Sequence, residues 1–238
     1  MIEKRIVNAD DFGASLEINM AIDYAFKHKI INRTTLMVNM PFAQDAVLLA
    51  IRGGYLDRVG LHLCLDVGEP LTESIKEYHL FGTKDFWRKK INNIYISPKV
   101  RIAIEQEIEA QIQKYICLGG INMHIDSHHH VHHIPSILPS VIKLAQKYGF
   151  KSMRISRNIG HGVSFLKLII KKYVNYRIAK CFETNIYFGN MQNYRESSLN
   201  ENDSFEIMIH PCIKEGKYFD WINFGVYYNL DDYKLLKE

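Results

Sequence analysis

Asp10 and Asp11 stand side by side in Asn8-Ala9-Asp10-Asp11-Phe12-Gly13, and five histidines crowd into His128–His133 with only Val131 among them. Adjacent carboxylates repel unless a cation or a proton lies between them. A metal held by one leaves the other free as a base. The competing reading of the pair is structural, with Asp11 or Ser15 capping the helix that follows. Imidazole is the commonest biological metal ligand, and three protein ligands with one open position make a catalytic metal site. In His124-Ile125-Asp126-Ser127-His128 and the histidines after it, an Asp and two His would suit a hydrolytic site with bound water. Spacing alone leaves open which histidine of the run ligates and whether the others support ligands or merely line a polar loop.

Other chemistry-bearing residues stand singly. His62, in Gly60-Leu61-His62-Leu63-Cys64-Leu65, reads by itself as a satisfied core histidine, and Cys64 on the same face reads as a buried thiol. His210, in Ile207-Met208-Ile209-His210-Pro211, suits either a general acid with a tuned pKa or a hydrogen-bonded strand end. Arg154 could bind a carboxylate or phosphate bidentately, or orient one of the acidic residues.

The elements that must position these groups alternate. Apolar runs at Arg5–Asn8, Thr34–Val38, Val59–Leu65, Asn122–Asp126, Met153–Ile155 and Phe205–Ile209 read as strands. Helical spacing covers Glu17–Lys27, Ala43–Ile51, Pro98–Leu118, Ile134–Tyr148 and Phe165–Ala179, and Gly53-Gly54, Gly119-Gly120 and Gly149 mark three of the ends. This order predicts parallel βαβ units. Asp10-Asp11, His62, Asp126 with His128, Arg154 and His210 all fall at or just beyond strand carboxyl ends. In a (β/α) barrel those ends share the active face. A single buried Asp or His has an ordinary explanation in a hydrogen bond, but the set does not.

The chain of 238 residues, 47% hydrophobic and 24% charged, has ordinary globular composition. It is expected to form a single domain over 1–238, interrupted by one long irregular stretch, Asp66–Ser97, which carries Tyr78, Phe81, Phe86 and Trp87. A net charge of +4 is too mild to argue for nucleic acid. The four cysteines form no C-x-x-C. The N-terminus carries charges before any apolar run, which speaks against a signal peptide, and no apolar run is long enough to span a bilayer. A cytoplasmic setting without membrane contact is expected, and Phe165–Ala179, which could also be read as a membrane-surface helix, is expected to be an outer barrel helix with a solvated basic face. A homodimer is left open.

NADDFG near the start, GLHL, HIDSHHHVHHIP and the late IMIHP occur in that order from residue 8 to residue 211. Together they resemble the YdjC-like (ChbG-type) carbohydrate deacetylases. The resemblance implies an α/β fold, a distorted TIM-like (β/α) barrel. It also implies a metal-dependent hydrolase of carbohydrate metabolism that removes an N-acetyl group from a short, chitooligosaccharide-like sugar and releases acetate. By matched position, Asp11, His62 and His128 would hold one divalent metal, with Asp10 as general base and His210 as general acid. Asp126 and Arg154 would support the rim or touch substrate. Magnesium and zinc both stay open, although magnesium prefers oxygen ligands. Two rival readings are a metal-dependent phosphoesterase and a non-catalytic metal-binding protein. The second leaves Asp10 and His210 without a task.

Overall fold

The computed structural model describes residues 3–78, 95–160, 164–200, 202–223 and 226–233. Seven parallel strands make one curled sheet in the order β5-β4-β3-β2-β1-β7-β6. They are β1 (Arg5–Phe12), β2 (Arg33–Leu36), β3 (Val59–Leu63), β4 (His124–Ser127), β5 (Ser152–Met153), β6 (Tyr187–Asn190) and β7 (Phe205–Ile209). The helices between them are α1 (Leu16–Lys27), α2 (Ala43–Gly53), α3 (Glu73–Lys76), α4 (Pro98–Cys117), α5 (Leu138–Lys147), α6 (Phe165–Ala179) and α7 (Met191–Arg195). This is the distorted TIM-like barrel of the sequence reading.

The two sheet edges meet irregularly. The N–H groups of Asn158 and Ile159 donate to the Phe188 carbonyl at 3.1 and 3.5 Å, and the Asn158 side chain accepts from Phe188 N–H at 2.8 Å. These bonds lace the end of β5 to β6, so strand groups that an open edge would leave bare are partly satisfied.

Strand side chains alternate between two faces. One parity, with Val7, Ala9, Leu61, Leu63, Ile125, Ile207 and Ile209, is buried in the apolar core. The other parity is polar and buried: Asn8 and Asp10 on β1, Arg33 and Thr35 on β2, His62 on β3, His124 and Asp126 on β4, Glu206 on β7. The inside of the barrel is therefore a charged network, and the hydrophobic layer lies between strands and helices.

Local chemistry sets the element ends. Ser15 caps α1, its Oγ accepting from Ile18 N–H, so Asp11 is released from capping. Gly54 ends α2 in the left-handed region at φ 70°. On α4, buried Glu107 accepts from Leu71 and Thr72 N–H and from the Thr72 hydroxyl, anchoring the start of the long irregular stretch. Gln111 exchanges two bonds with the backbone of Cys64 and holds the end of β3.

The structure departs from the sequence reading at several elements. The helix expected from Ile134 begins at Leu138, because His128–His133 is a 3₁₀ segment with His129 and His130 at positive φ. β6 was not foreseen, since YFGN is short and contains Gly189, where a Cβ would meet Ile159. Nor was the antiparallel sheet of β8 (Pro211–Lys214), β9 (Lys217–Asn223) and β10 (Val226–Asn229). α6 is present over its expected span with Lys167 and Lys172 exposed, but Phe165, Ile169, Tyr173 and Tyr176 are exposed beside them, while Lys171 leans back onto the Arg157 carbonyl at 2.8 Å. Tyr78 packs against the core. Phe81, Phe86 and Trp87 lie outside the described residues.

Candidate active site

β1 ends in a bulge. Its register with β2 shifts between Ala9 and Phe12, and Asp11 takes φ 67°, an uncommon value for a residue with a side chain. Gly13 follows at φ 96°, where a Cβ would stand 3.1 Å from Ala43 Cα and 3.2 Å from the Met37 carbonyl. This turn lets two consecutive carboxylates serve the same rim, which a regular strand would forbid.

Asp10 is held by Arg154. Nη1 and Nη2 each donate to one carboxylate oxygen at 2.7 Å, a bidentate pair, and Asn8 Nδ2 adds a bond at 2.8 Å. Arg154 also reaches Asp126 at 2.8 Å and Glu206 at 2.6 Å, and Arg33 meets Glu206 at 2.7 Å. All five groups are buried. Burial alone would raise the Asp10 pKa, but Arg154, with His62 and His210, outweighs it and holds Asp10 well below the usual carboxylate range. Glu206 is likewise held at about 2, burial being outweighed by Arg33 and Arg154. Arg154 is fully committed to carboxylates, with Phe188 stacked at 4.9 Å, so it orients acidic residues and has no free fork for a phosphate.

Asp11 differs in one respect. Its Oδ1 is buried with no hydrogen-bond partner, 3.3 Å from His62 Nε2. His62 Nδ1 is taken by Asp126 Oδ1 at 2.7 Å, with Thr35 Oγ1 close by at 3.1 Å, so its Nε2 points to Asp11. His128 repeats the pattern: its Nδ1 meets Asp66 Oδ1 at 2.8 Å, and its ring lies 6.1 Å from that of His62, edge to face. Imidazoles fixed at Nδ1 by a carboxylate, as these two are, are how metal-binding histidines are held. Burial works against the His62 charge, but Asp126, Asp11 and Asp10 outweigh it and raise its pKa to about 10. Asp11 is held at about 2, burial being outweighed by His62, His210 and His128. The buried His and Asp groups are consistent with a divalent metal site.

Three tighter groupings of ligand atoms occur among the described residues: Asp10, His62 and Asp126; His124, Asp126 and Glu206; Cys64, Asp66 and His128. The first two already surround Arg154, whose positive charge does the work a cation would do. In the third, burial pushes the Cys64 thiol up to about 12, and Asp66 is shared by His128 and His129. Asp11 belongs to none of the three; its Oδ1, buried without a hydrogen bond, faces His62 Nε2 at 3.3 Å.

His210 begins beyond β7. Its N–H donates to buried Asp220 Oδ1 at 2.8 Å, Tyr233 donates to the other oxygen at 2.6 Å, and Trp221 lies edge-on at 6.1 Å. Sequence reasoning missed Asn8, Arg33, Thr35, His124, Glu206, Asp66 and Asp220 as members of this network. For most the signal was present: each lies two residues from another interior group on the same strand.

His132 and His133 are structural in their contacts. His132 Nε2 faces the Arg154 carbonyl at 3.0 Å, so it carries the proton, and Nδ1 accepts from the Ser127 hydroxyl. His133 Nε2 meets the same carbonyl at 3.2 Å. Burial holds His132 well below its ordinary range and His133 at about 3, so both stay neutral in the fold. The unfolded chain takes up protons near pH 6.5 where the folded one does not, so stability falls as pH falls from there. The expected slope approaches about 1.4 kcal/mol per pH unit for each such histidine. His132→Asn should flatten the pH dependence of urea unfolding between about pH 6.5 and 4.5. An unchanged slope would contradict this assignment.

The YdjC-like protein family model matches residues 4–237. The chain belongs to the YdjC-like family. A protein of Clostridium beijerinckii named carbohydrate deacetylase is 34% identical over 220 residues, covering 89% of this chain and 82% of its own length. Another with that name, from Halalkalibacterium halodurans, is 37% identical over 214 residues, covering 88% and 85%. A third, from Brevibacillus brevis, is 41% identical over 145 residues, covering 61% of this chain and 56% of its own. Among solved structures, an Enterococcus faecalis protein described as a candidate cellobiose-phosphate cleavage protein superposes with TM-score 0.69. It is 23% identical and covers 90% of this chain and 82% of its own, a likeness of fold.

Proposed function

We infer that this YdjC-like protein is a metal-dependent carbohydrate deacetylase that hydrolyses the N-acetyl amide of a short acetylated sugar and releases acetate. The observation that carries the reading is the Oδ1 of Asp11, buried without a hydrogen bond and facing His62 Nε2 at 3.3 Å, next to an Asp10 clamped by Arg154. Support comes also from relatives named carbohydrate deacetylase that are matched over 82% and 85% of their own lengths.

Asp11, His62 and His128 are the residues that would hold the ion. One carboxylate and two imidazoles are the donor set zinc takes readily, whereas magnesium prefers all-oxygen coordination. Bound there, the ion supplies Lewis acidity toward the amide carbonyl and lowers the pKa of water, which is what a carboxylate as acidic as Asp10 needs in its proton donor. Asp10, oriented by Arg154 and Asn8, then takes the proton of the attacking water. His210, close enough to lower the pKa values of both Asp10 and Asp11, gives a proton to the departing amine, which an amide nitrogen needs in order to leave.

Asp10→Asn tests the division of labour. The amide keeps the shape and removes the base, so bound metal should stay and turnover should fall by roughly a hundredfold or more. Retained turnover, or loss of the metal together with activity, would contradict the role. Commitment of Arg154 to Asp10, Asp126 and Glu206 takes away the group a phosphoesterase reading would use for its phosphate.

A further inference from the structure

α6 exposes more apolar side chains than an ordinary surface helix. It buries only Val174 and Ile178 against the barrel. Phe165, Leu166 and Tyr176 are 78%, 67% and 64% exposed, and Leu168, Ile169 and Tyr173 are also exposed. Phe165, Ile169, Tyr173 and Tyr176 recur at helical spacing, so they form one outward stripe rather than scattered residues. A contiguous apolar stripe on a surface marks something that covers it.

Charge says what. Lys167, Lys171, Lys172, Arg177 and Lys180 lie within or just beyond this helix, and no aspartate or glutamate falls between Asp126 and Glu183. Lys143 and Lys147 in that stretch are paired with Glu105 and Glu109 on α4, and Arg154 is buried, but α6 has no acidic residue of its own to pair with. A second copy docking α6 against α6 would set bases against bases. A layer that is apolar beneath and negative above has the complementary chemistry, and tyrosines suit its boundary.

The orientation is informative too. Asn175 exchanges bonds with the backbone of Ser156, and Lys171 bonds Arg157, both just beyond Arg154 at the carboxyl end of β5. Phe165 lies six residues nearer the helix start, about 9 Å farther along the axis at 1.5 Å per residue. The most exposed apolar side chains are therefore on the side of the catalytic rim.

We propose that α6 docks the protein peripherally on an anionic lipid bilayer, with Phe165, Leu166, Ile169, Tyr173 and Tyr176 entering the interface and Lys172, Arg177 and Lys180 engaging lipid headgroups. The proposal departs from the sequence expectation of no membrane contact. It agrees with the absence, among the described residues, of any helix long and apolar enough to cross a membrane. The docking does not depend on the proposed activity.

The test is co-sedimentation of the full chain with vesicles of phosphatidylcholine alone or with about one third phosphatidylglycerol. The bound fraction should rise at least about tenfold with the anionic lipid at 0.1 M salt and fall at 0.5 M. The triple variant F165S/I169S/Y176S and the double variant K172E/K180E should each lower binding at least about tenfold, with unchanged circular dichroism and Tm because these side chains face solvent. Absence of binding to anionic vesicles, or equal binding to both compositions, would overturn the proposal. So would a dimer in light scattering that the triple variant dissolves while vesicle binding stays nil, since the stripe would then be covered by a second copy.

Discussion

Arg154→Met is expected to lower the unfolding free energy by about 3–5 kcal/mol at pH 7.5, because it leaves buried carboxylates without their counter-charge. Arg154 touches Asp10, Asp126 and Glu206, each no more than 3% exposed. Glu206 keeps Arg33, and Asp126 keeps His62 and Thr35, but Asp10 keeps only Asn8. The pH dependence has a definite sign. Without the guanidinium, only His62 and His210 oppose burial, so the folded pKa of Asp10 rises from its low value and the folded state takes up a proton more readily. The deficit should then shrink as pH falls toward about 4 and grow as pH rises. Arg154→Lys keeps the charge but not the fork, and should recover part of the loss. Urea unfolding at several pH values checks this. A deficit under about 0.5 kcal/mol, the range of an ordinary surface change, would contradict the clamp.

Asp11→Asn and His62→Ala are expected to lose bound metal and activity together. Each removes a proposed ligand, so the loss should exceed the roughly 10–100-fold cost of altering a ligand's hydrogen-bond partner. Asp126→Asn, which alters the partner of His62 Nδ1, and Asp66→Asn, which alters that of His128, should fall within that smaller range. Metal content by mass spectrometry and turnover, measured on the same preparations, separate the two classes. Equal effects in all four variants would contradict the ligand assignment.

The barrel was legible because strand and helix periods differ and glycines mark ends at Gly54, Gly119 and Gly149. Convergence of Asp10, Asp11, His62, Asp126, Arg154 and His210 was legible from their positions at strand ends alone. The contacts that tie them were harder to read, because a barrel interior pairs residues far apart in the chain: Asp10 with Arg154, Asn8 with Arg33, Asp66 with His128. Parity was the unread signal. Asn8 and Asp10, Arg33 and Thr35, His124 and Asp126 are spaced by two, and so are Glu206 and Met208, with His210 following beyond the strand. Asp66 has no such signal, since it sits in the irregular stretch after β3. The apolar outer stripe of α6 was hidden because helical periodicity gives a face without saying which way it points. His62 shows the reverse case: alone in an apolar strand it reads as core, and its long-range bond to Asp126 makes it part of a site.

Acetate release from diacetylchitobiose, measured before chelation, after chelation and after zinc is restored, tests the central claim most directly. The zinc-loaded chain should release acetate, the chelated chain none, and the reloaded chain should recover, with none at any stage in Asp11→Asn. Release that survives chelation, or no acetate from this or any other short acetylated sugar with zinc bound, would contradict it.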